Sequence, residues 1–459
     1  MQSPKHYIIV VMKSTEKNEI TSGVIWKQIL IFFFPILIGA IFQTLYNTVD
    51  AVVVGRFSGK IALASVGGSS GLIIELVITF FMGLASGATV IISQAYGSDD
   101  RRRIDEALHT AYTFALAGGL ILGSAGVLLA PAFLHLLGTP DDLFPGSLTY
   151  LRILMAGLAF ILIYNIGSGI LCAIGDSRRP LYILIVCCVI NIALDLWLVA
   201  VLKIGVAGAG IATVISQGVS AALVTWLLVL RTGAMKLSLK RLHINLPILS
   251  NILKIGLPTA ISVSMFTISN MILQTSINRM GSNTVAAWTA YGRVDAFWWL
   301  ITEAFSVSIT TFVGQNYGAK KPQRIKRAIL DVIGMELVLS VIAAIVIVSA
   351  APFLISMFTR SQAVITIGAR ISKVIAPIYW IFIPSDVLSS SLRAENHVVF
   401  STITNTLSIC IFRIFWTFIT GNRDITFLLR CYPISYIAAS SLIIIYFVIE
   451  QKKINSKLS

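Results

Sequence analysis

The stretch GLASGATVIISQAYG at residues 83–97 has a counterpart in EAFSVSITTFVGQNYG at residues 303–318. Gly97 closes the first and Gly318 the second. Each stretch ends an apolar segment, and a charged loop and a further apolar segment follow it. The segment before each carries a proline, Pro35 in FFFPILIGA and Pro258 in KIGLPTAIS. The interval between the two prolines is nearly the same as that between the two glycines. LCAIGDSRRP (171–180) and SLRAENHVV (391–399) then fall at the same place in each half. The chain is therefore an internal duplication.

Working outward, apolar segments cover 24–54, 60–95, 104–130, 147–173, 180–201, 205–231, 247–279, 283–316, 326–350, 363–391, 398–420 and 425–450. Each is long enough to cross a bilayer as a helix, which takes about 20 residues. Six spans return the chain to the side on which it started, so the halves are parallel and related by an axis along the membrane normal. The expected fold is an all-α membrane protein, with about twelve transmembrane helices in two parallel six-helix lobes around a central cleft. Residues 24–231 form the N-lobe, 232–246 the linker and 247–450 the C-lobe. Residues 1–23 and 451–459 are the two tails. Residues 1–11 read as an upstream extension or a disordered end, because YIIVVM is too short for a signal sequence.

Composition agrees. Hydrophobic residues make up 56% of the 459, and charged residues 12%. The mean hydropathy is +0.87. A soluble domain carries about 25% charged residues. The net charge of +15 does not mark a nucleic-acid binder, because the basic residues cluster between apolar runs. With both termini cytoplasmic, most of them fall on the inner side, as in GSDDRRR (97–103), DSRRP (176–180) and GAKKPQRIKR (318–327). The partner is thus a lipid bilayer. The five cysteines lack metal-ligand spacing and read as small core residues. No cofactor or catalytic fingerprint appears, so an enzyme is not expected.

The chemistry lies in the acids inside the spans. Asp50, in YNTVDAVVVGRF (46–57), has three valines after it and no basic residue within a helical turn. Its duplicate position, Ile272 or Leu273, is apolar. Asn191 and Asp195 in CCVINIALDLWLVA are spaced i, i+4 and share a helix face. Thr213 lies in the small-residue tract GVAGAGIATVISQG, which permits close helix approach. A carboxylate in such surroundings must be protonated, paired or liganded to a cation. Two acids, an amide oxygen and a hydroxyl make a hard-oxygen site suited to Na⁺ or H⁺. The structural alternative is that Asp50 caps a helix end and Asp195 meets backbone at an interface.

NTVDAVVVGRFSG, ASGATVIISQAYG and LCAIGDSRRPLYI together resemble the MATE family of multidrug and toxic compound extrusion transporters, over about residues 24–449. The resemblance implies twelve helices in two lobes and export of small, cationic, amphipathic molecules by Na⁺ or H⁺ antiport across the inner membrane of a bacterial-type cell. Each chain is expected to contain a complete cleft and to work as a monomer. In prokaryotic members of the DinF-like type, an N-lobe ion site joins an Asp on the first helix, an Asn and an Asp on the fifth, and a Thr on the sixth. Asp50, Asn191, Asp195 and Thr213 match these. Gln43 and Asn165 match polar positions of the adjoining cavity. Another branch carries a Glu on the seventh helix. PTAISVSMFTISN (258–270) has none, so coupling of that kind is not expected.

Other charges complete the reading. Glu303 and Asp386 are placed in the substrate cavity, with pairing to Arg293 as the alternative for Glu303. Arg293 and Asp295 read as a local network, Glu75 as facing the cleft or paired, and Glu336 as a polar interruption. Arg413 is expected to snorkel or pair. Trp288, Tyr291, Phe297, Trp298 and Trp299 either stack on cationic substrates or belt the interface. The alternative function is a flippase for lipid-linked precursors, which needs a large cationic cavity.

Overall fold

The computed structural model describes residues 19–420 and 424–458; the expectation for residues 1–11 lies outside them. A single turn, Glu19–Ser22, precedes the spans. These are α1 (Ile25–Gly67), α2 (Ser69–Gly97), α3 (Arg101–Leu136), α5 (Arg178–Val201), α6 (Val206–Leu230), α7 (Leu246–Asn278), α8 (Ser282–Gly318), α9 (Pro322–Ser349), α10 (Gln362–Ala394), α11 (Val398–Thr420) and α12 (Ile425–Glu450). The remaining span, α4, is a pair, Phe144–Ala156 and Leu158–Ala173, bent by 49°. Among the described residues this makes eleven membrane-length helices and one broken span, the expected number.

Two boundaries differ from the sequence reading. The second span begins at Ser69, not at residue 60. Gly59 (φ 86) breaks helical geometry inside α1, and residues 60–67 continue as the end piece of that helix. The break falls there because glycine takes positive φ without steric cost. The linker packs on the N-lobe. Leu237 is fully buried, the Ser238 N–H donates to His109 Nε2 (3.1 Å), and Asn245 caps α7 at the Ile248 N–H (3.2 Å). Pro35 sits inside α1 with helical backbone on both sides.

The duplication is visible as reciprocal packing. Ile29 and Phe33 of α1 belong to a core built otherwise from α8, α9, α10 and α12 and the initial turn, and Phe33 stacks on Phe305 at 4.1 Å. Ile252 and Ile255 of α7 belong to the core of α2 to α6. Ile29 and Ile252 are duplicates, separated by the same interval as the two prolines. Each half thus lends the start of its first helix to the other half's core.

The same reciprocity closes one end of the bundle. The Gln94 side chain donates to the Ala394 carbonyl (2.8 Å), and the Gln315 side chain donates to the Ala173 carbonyl (2.7 Å). The two donors are duplicates of each other, as are the two acceptors, at the interval that separates Gly97 from Gly318. Between them the backbones nearly touch. A Cβ added at Gly97 would lie 1.9 Å from the Gln315 carbonyl oxygen, and one at Gly318 2.0 Å from that of Gln94. The initial turn spans this end. The Ile20 side chain packs on Gly175, while Arg324 donates to the carbonyls of Ile20 (2.9 Å) and Gly23 (2.8 Å).

Gly97→Leu should cost about 3 kcal/mol or more, because backbone rather than a flexible side chain would have to move. Gly334→Ala, which adds its Cβ to open space, should leave the melting temperature in detergent unchanged. Equal melting of wild type and Gly97→Leu would contradict the reciprocal contact.

Candidate ion and substrate site

On α1, Gln43, Tyr46 and Asp50 recur at three- and four-residue steps and share a face. On α5, Asn191 and Asp195 share another. Asp195 immediately precedes a π-helical turn, Leu196–Val201; such wide turns often mark functional positions in helices. The two helices pack so that the Asp50 and Asp195 carboxyls stand next to each other. Asp50 is 8% exposed, Asn191 1%, Asp195 0% and Thr213 7%. Asp50 Oδ1, both oxygens of Asp195 and both polar atoms of the Asn191 amide have no hydrogen-bond partner. The Thr213 hydroxyl donates to the Ala209 carbonyl within α6 (3.0 Å), which leaves its oxygen as an acceptor.

Neither structural alternative describes these acids. Asp50 lies in mid-helix rather than at a cap, and Asp195 makes no bond to backbone. Two side chains that the sequence reading did not include adjoin the pair. Tyr46 lies beside both carboxyls and meets Gln217 of α6. Tyr150 of α4 lies near Asp50, Tyr46 and Asp195 as well. The i−4 spacing of Tyr46 from Asp50 was the available signal for the first; nothing in the sequence pointed to Tyr150 or Gln217.

Two turns along α1, about 10 Å by helical rise, a cavity of about 280 Å³ opens between the halves. Gln43 and Asn165 line it together with Glu303 and Arg393. Thr89 and Thr310, another duplicated pair, both line it. Its floor is the closed end, since Cys172 and Arg393 on its wall precede the latch carbonyls of Ala173 and Ala394. Glu303 presents its side chain to this space and is accessible there.

Several expectations change. Asp386 is not on the cavity wall; it lies behind Arg393 and Glu303. Arg293 is exposed and forms no ion pair with Glu303. Glu75 is exposed on α2 and outside the cavity wall. Asp295 does form a network, but with tyrosines and a tryptophan rather than Arg293. It accepts from Tyr291 (2.9 Å), Trp299 (2.9 Å) and Tyr379. Arg413 does not snorkel. It is 1% exposed, held over the Tyr432 ring at 4.0 Å and near Tyr436 and Phe266. Trp298 is fully buried and stacks on Tyr379 at 4.0 Å. Phe297 faces outward. The other aromatics of this stretch pack on neighbouring rings, and none of the five lines the cavity. Ring faces are what allow the guanidinium to stay buried, because they attract a cation without supplying a counter-charge.

Two helical lobes across a membrane, a cavity between them and an unpaired acid pair beside it define a membrane transporter. Sequence comparison agrees. The MatE family profile matches residues 35–197 and 258–419, one match per half, each beginning at that half's proline. The chain belongs to the MatE family. It is 28% identical to the probable multidrug resistance protein YoeA of Bacillus subtilis over 84% of each chain. It is 29% identical to the probable multidrug resistance protein YpnP of the same organism, over 86% of this chain and 88% of that one. The solved outward-facing structure of a multidrug resistance MATE family transporter superposes with a TM-score of 0.87. That match is at 23% identity and covers 97% of this chain and 99% of the other.

The buried acids should be a cost to the fold. A buried neutral polar group without partners costs roughly 1–3 kcal/mol, and a charged one more. The Asp50→Asn, Asp195→Asn double variant should therefore melt higher than wild type in detergent at alkaline pH without added sodium. A lower melting temperature would mean that the pair is a structural fixture.

Proposed function

We propose that this protein exports small, cationic, amphipathic compounds, drugs among them, from the cell in exchange for Na⁺ or H⁺ taken up at the Asp50–Asp195 pair. The observation that carries the reading is the pair itself: two adjacent buried carboxyls without partners on the helix that also lines the cavity through Gln43. Asn191, Thr213 and Tyr46 complete the oxygen set. The names of YoeA and YpnP support the substrate class.

The excess of basic residues in loops at the Gly97 and Gly318 end makes that end cytoplasmic, in an inner membrane. The structure then corresponds to a state closed to the cytoplasm. A cation at the pair removes the cost of its charge and lets α1 and α5 pack together. Release of that cation leaves two like charges side by side, which favours separating the helices. α1 carries this change to Gln43, and so to the cavity, while Pro35 supplies a place to bend, since the Ile31 carbonyl lacks its intrahelical donor. Substrate and ion then disfavour each other through one shared helix, which is sufficient for antiport. Alternating access requires the Gln94 and Gln315 latches to open together. The chain holds a whole cavity by itself and works as a monomer in this reading.

Glu303 supplies the negative charge that a cationic substrate meets. The flippase alternative finds no support here. The cavity is small for a lipid-linked headgroup, Arg393 is the sole arginine on its wall, and Arg293 and Arg413 lie elsewhere.

Efflux of ethidium from proteoliposomes, with Na⁺ and pH gradients imposed separately, tests the reading. One gradient should drive efflux in wild type, and neither should in Asp50→Asn at equal reconstitution. Gradient-driven efflux by Asp50→Asn would overturn it. Glu303→Gln should weaken ethidium binding by about tenfold, corresponding to about 1.4 kcal/mol, while efflux of a neutral substrate is retained. An unchanged ethidium affinity would remove Glu303 from substrate contact.

A further inference from the structure

The C-lobe contains a second group of unpaired buried oxygens, with no counterpart on α7. Glu336 on α9 is completely buried, and neither of its carboxyl oxygens has a hydrogen-bond partner. Asp386 on α10 has one unpartnered oxygen and lies close enough for its charge to act on Glu336. The Thr302 hydroxyl on α8, 2% exposed and likewise without a partner at normal hydrogen-bond length, lies beside Glu336. Three helices thus bring an acid, an acid and a hydroxyl together, and no basic group acts on Glu336 itself. The next polar side chain along α9, Ser340, is already used by the Trp298 indole (2.8 Å).

The group communicates with the central cavity in one direction. Asp386 lies within electrostatic reach of Arg393 and Glu303, both of which line the cavity. The order from the cavity inward is therefore Glu303, then Asp386, then Glu336. Arg393 is the nearby cation. It tempers the charge of Asp386 and does not reach Glu336, whose own charge nothing compensates.

The occupant follows from the donor set. Two carboxyls and one hydroxyl offer fewer oxygens than the N-lobe group, which adds the Asn191 amide, and suit a proton better than an alkali ion. A proton needs only one carboxyl to sit on and one to share with. Both acids ionised together would set two buried negative charges against the single positive charge of Arg393 inside the membrane. One proton between them leaves a single charge facing Arg393.

We propose that Glu336 and Asp386, with Thr302, form a second proton-binding site of this protein, which exchanges its proton with the central cavity through Glu303. Its proton is bound when the cavity is empty and released when a cationic substrate sits beside Glu303, because that positive charge favours the ionised form of the acids behind it. Both acids then act on transport through charge, and the site is separate from the Asp50–Asp195 pair. It stands or falls independently of which ion that pair takes.

The test uses the full-length protein in lightly buffered detergent, with a pH-indicator dye reporting protons released when ethidium is added. Infrared difference spectra in the protonated-carboxyl region are recorded on the same samples. The Asp50→Asn, Asp195→Asn variant should still release protons and still lose a carboxyl band on ethidium binding. Adding Glu336→Gln to it should abolish both, and Asp386→Asn should do the same if the Glu336 variant is poorly folded. Glu303→Gln should slow the release several-fold while leaving the band in place. The proposal is overturned if the Asp50→Asn, Asp195→Asn variant releases no protons. It is equally overturned if Glu336→Gln and Asp386→Asn leave the release intact, or if the band they remove does not respond to ethidium, since the acids are then a fixed structural pair.

Discussion

The structure depends on the crossing of α2 and α8 at Gly97 and Gly318. There each backbone lies against the carbonyl of the glutamine on the other helix, and each glutamine side chain reaches a carbonyl at the end of a helix in the other half. A contact made of backbone, glycine and amide has little room to adjust. In the proposed transport cycle it is either closed or parted, and a bistable interface of this kind converts a small local change into a large motion. The exchange of α1 and α7 between the two cores adds to it. A shift of α1 reaches both halves at once, because its first turns pack with the C-lobe and Asp50 faces the N-lobe.

On this symmetric frame the chemistry is asymmetric. The N-lobe keeps two adjacent acids with no fixed positive charge. The outer C-lobe instead holds Arg413 in a cage of rings, with the Asp295 network nearby, and so carries its compensation permanently. A site that carries its own cation has no need of a mobile one. The N-lobe pair, lacking it, makes its stability depend on what it binds, and that dependence is the physical basis of the proposed coupling.

Much of this was legible in the sequence. The matching proline and glycine intervals pointed to the duplication and the parallel halves, and length with hydropathy marked out the helices. Asp50 stood out because its duplicate position is apolar. Spacing along one helix also placed Asn191 with Asp195. The sequence could not show which helices face one another. Asp386 was assigned to the cavity as a polar residue inside a span, yet it is absent from the cavity wall, to which Arg393 on the same helix belongs. Arg413 and Trp298 were read by the habits of isolated spans, whereas their neighbours on α10 and α12 enclose them. The end of α1 was misjudged because residues 60–67 are as apolar as a span, and only the backbone at Gly59 separates the two. Tyr150 and Gln217 join the site from α4 and α6, and no periodicity connects them to Asp50.

The central claim is that one cation and one substrate disfavour each other through the Asp50–Asp195 pair. It is tested most directly by equilibrium binding of ethidium to the purified protein as Na⁺ and pH are varied in turn. In wild type, the ion that drives transport should weaken ethidium binding in proportion to its own occupancy. In the Asp50→Asn, Asp195→Asn variant, ethidium should bind with an affinity that the Na⁺ concentration does not change and that retains only the part of any pH dependence arising at Glu336 and Asp386. Ethidium affinity in wild type that is independent of both Na⁺ and pH would contradict the account.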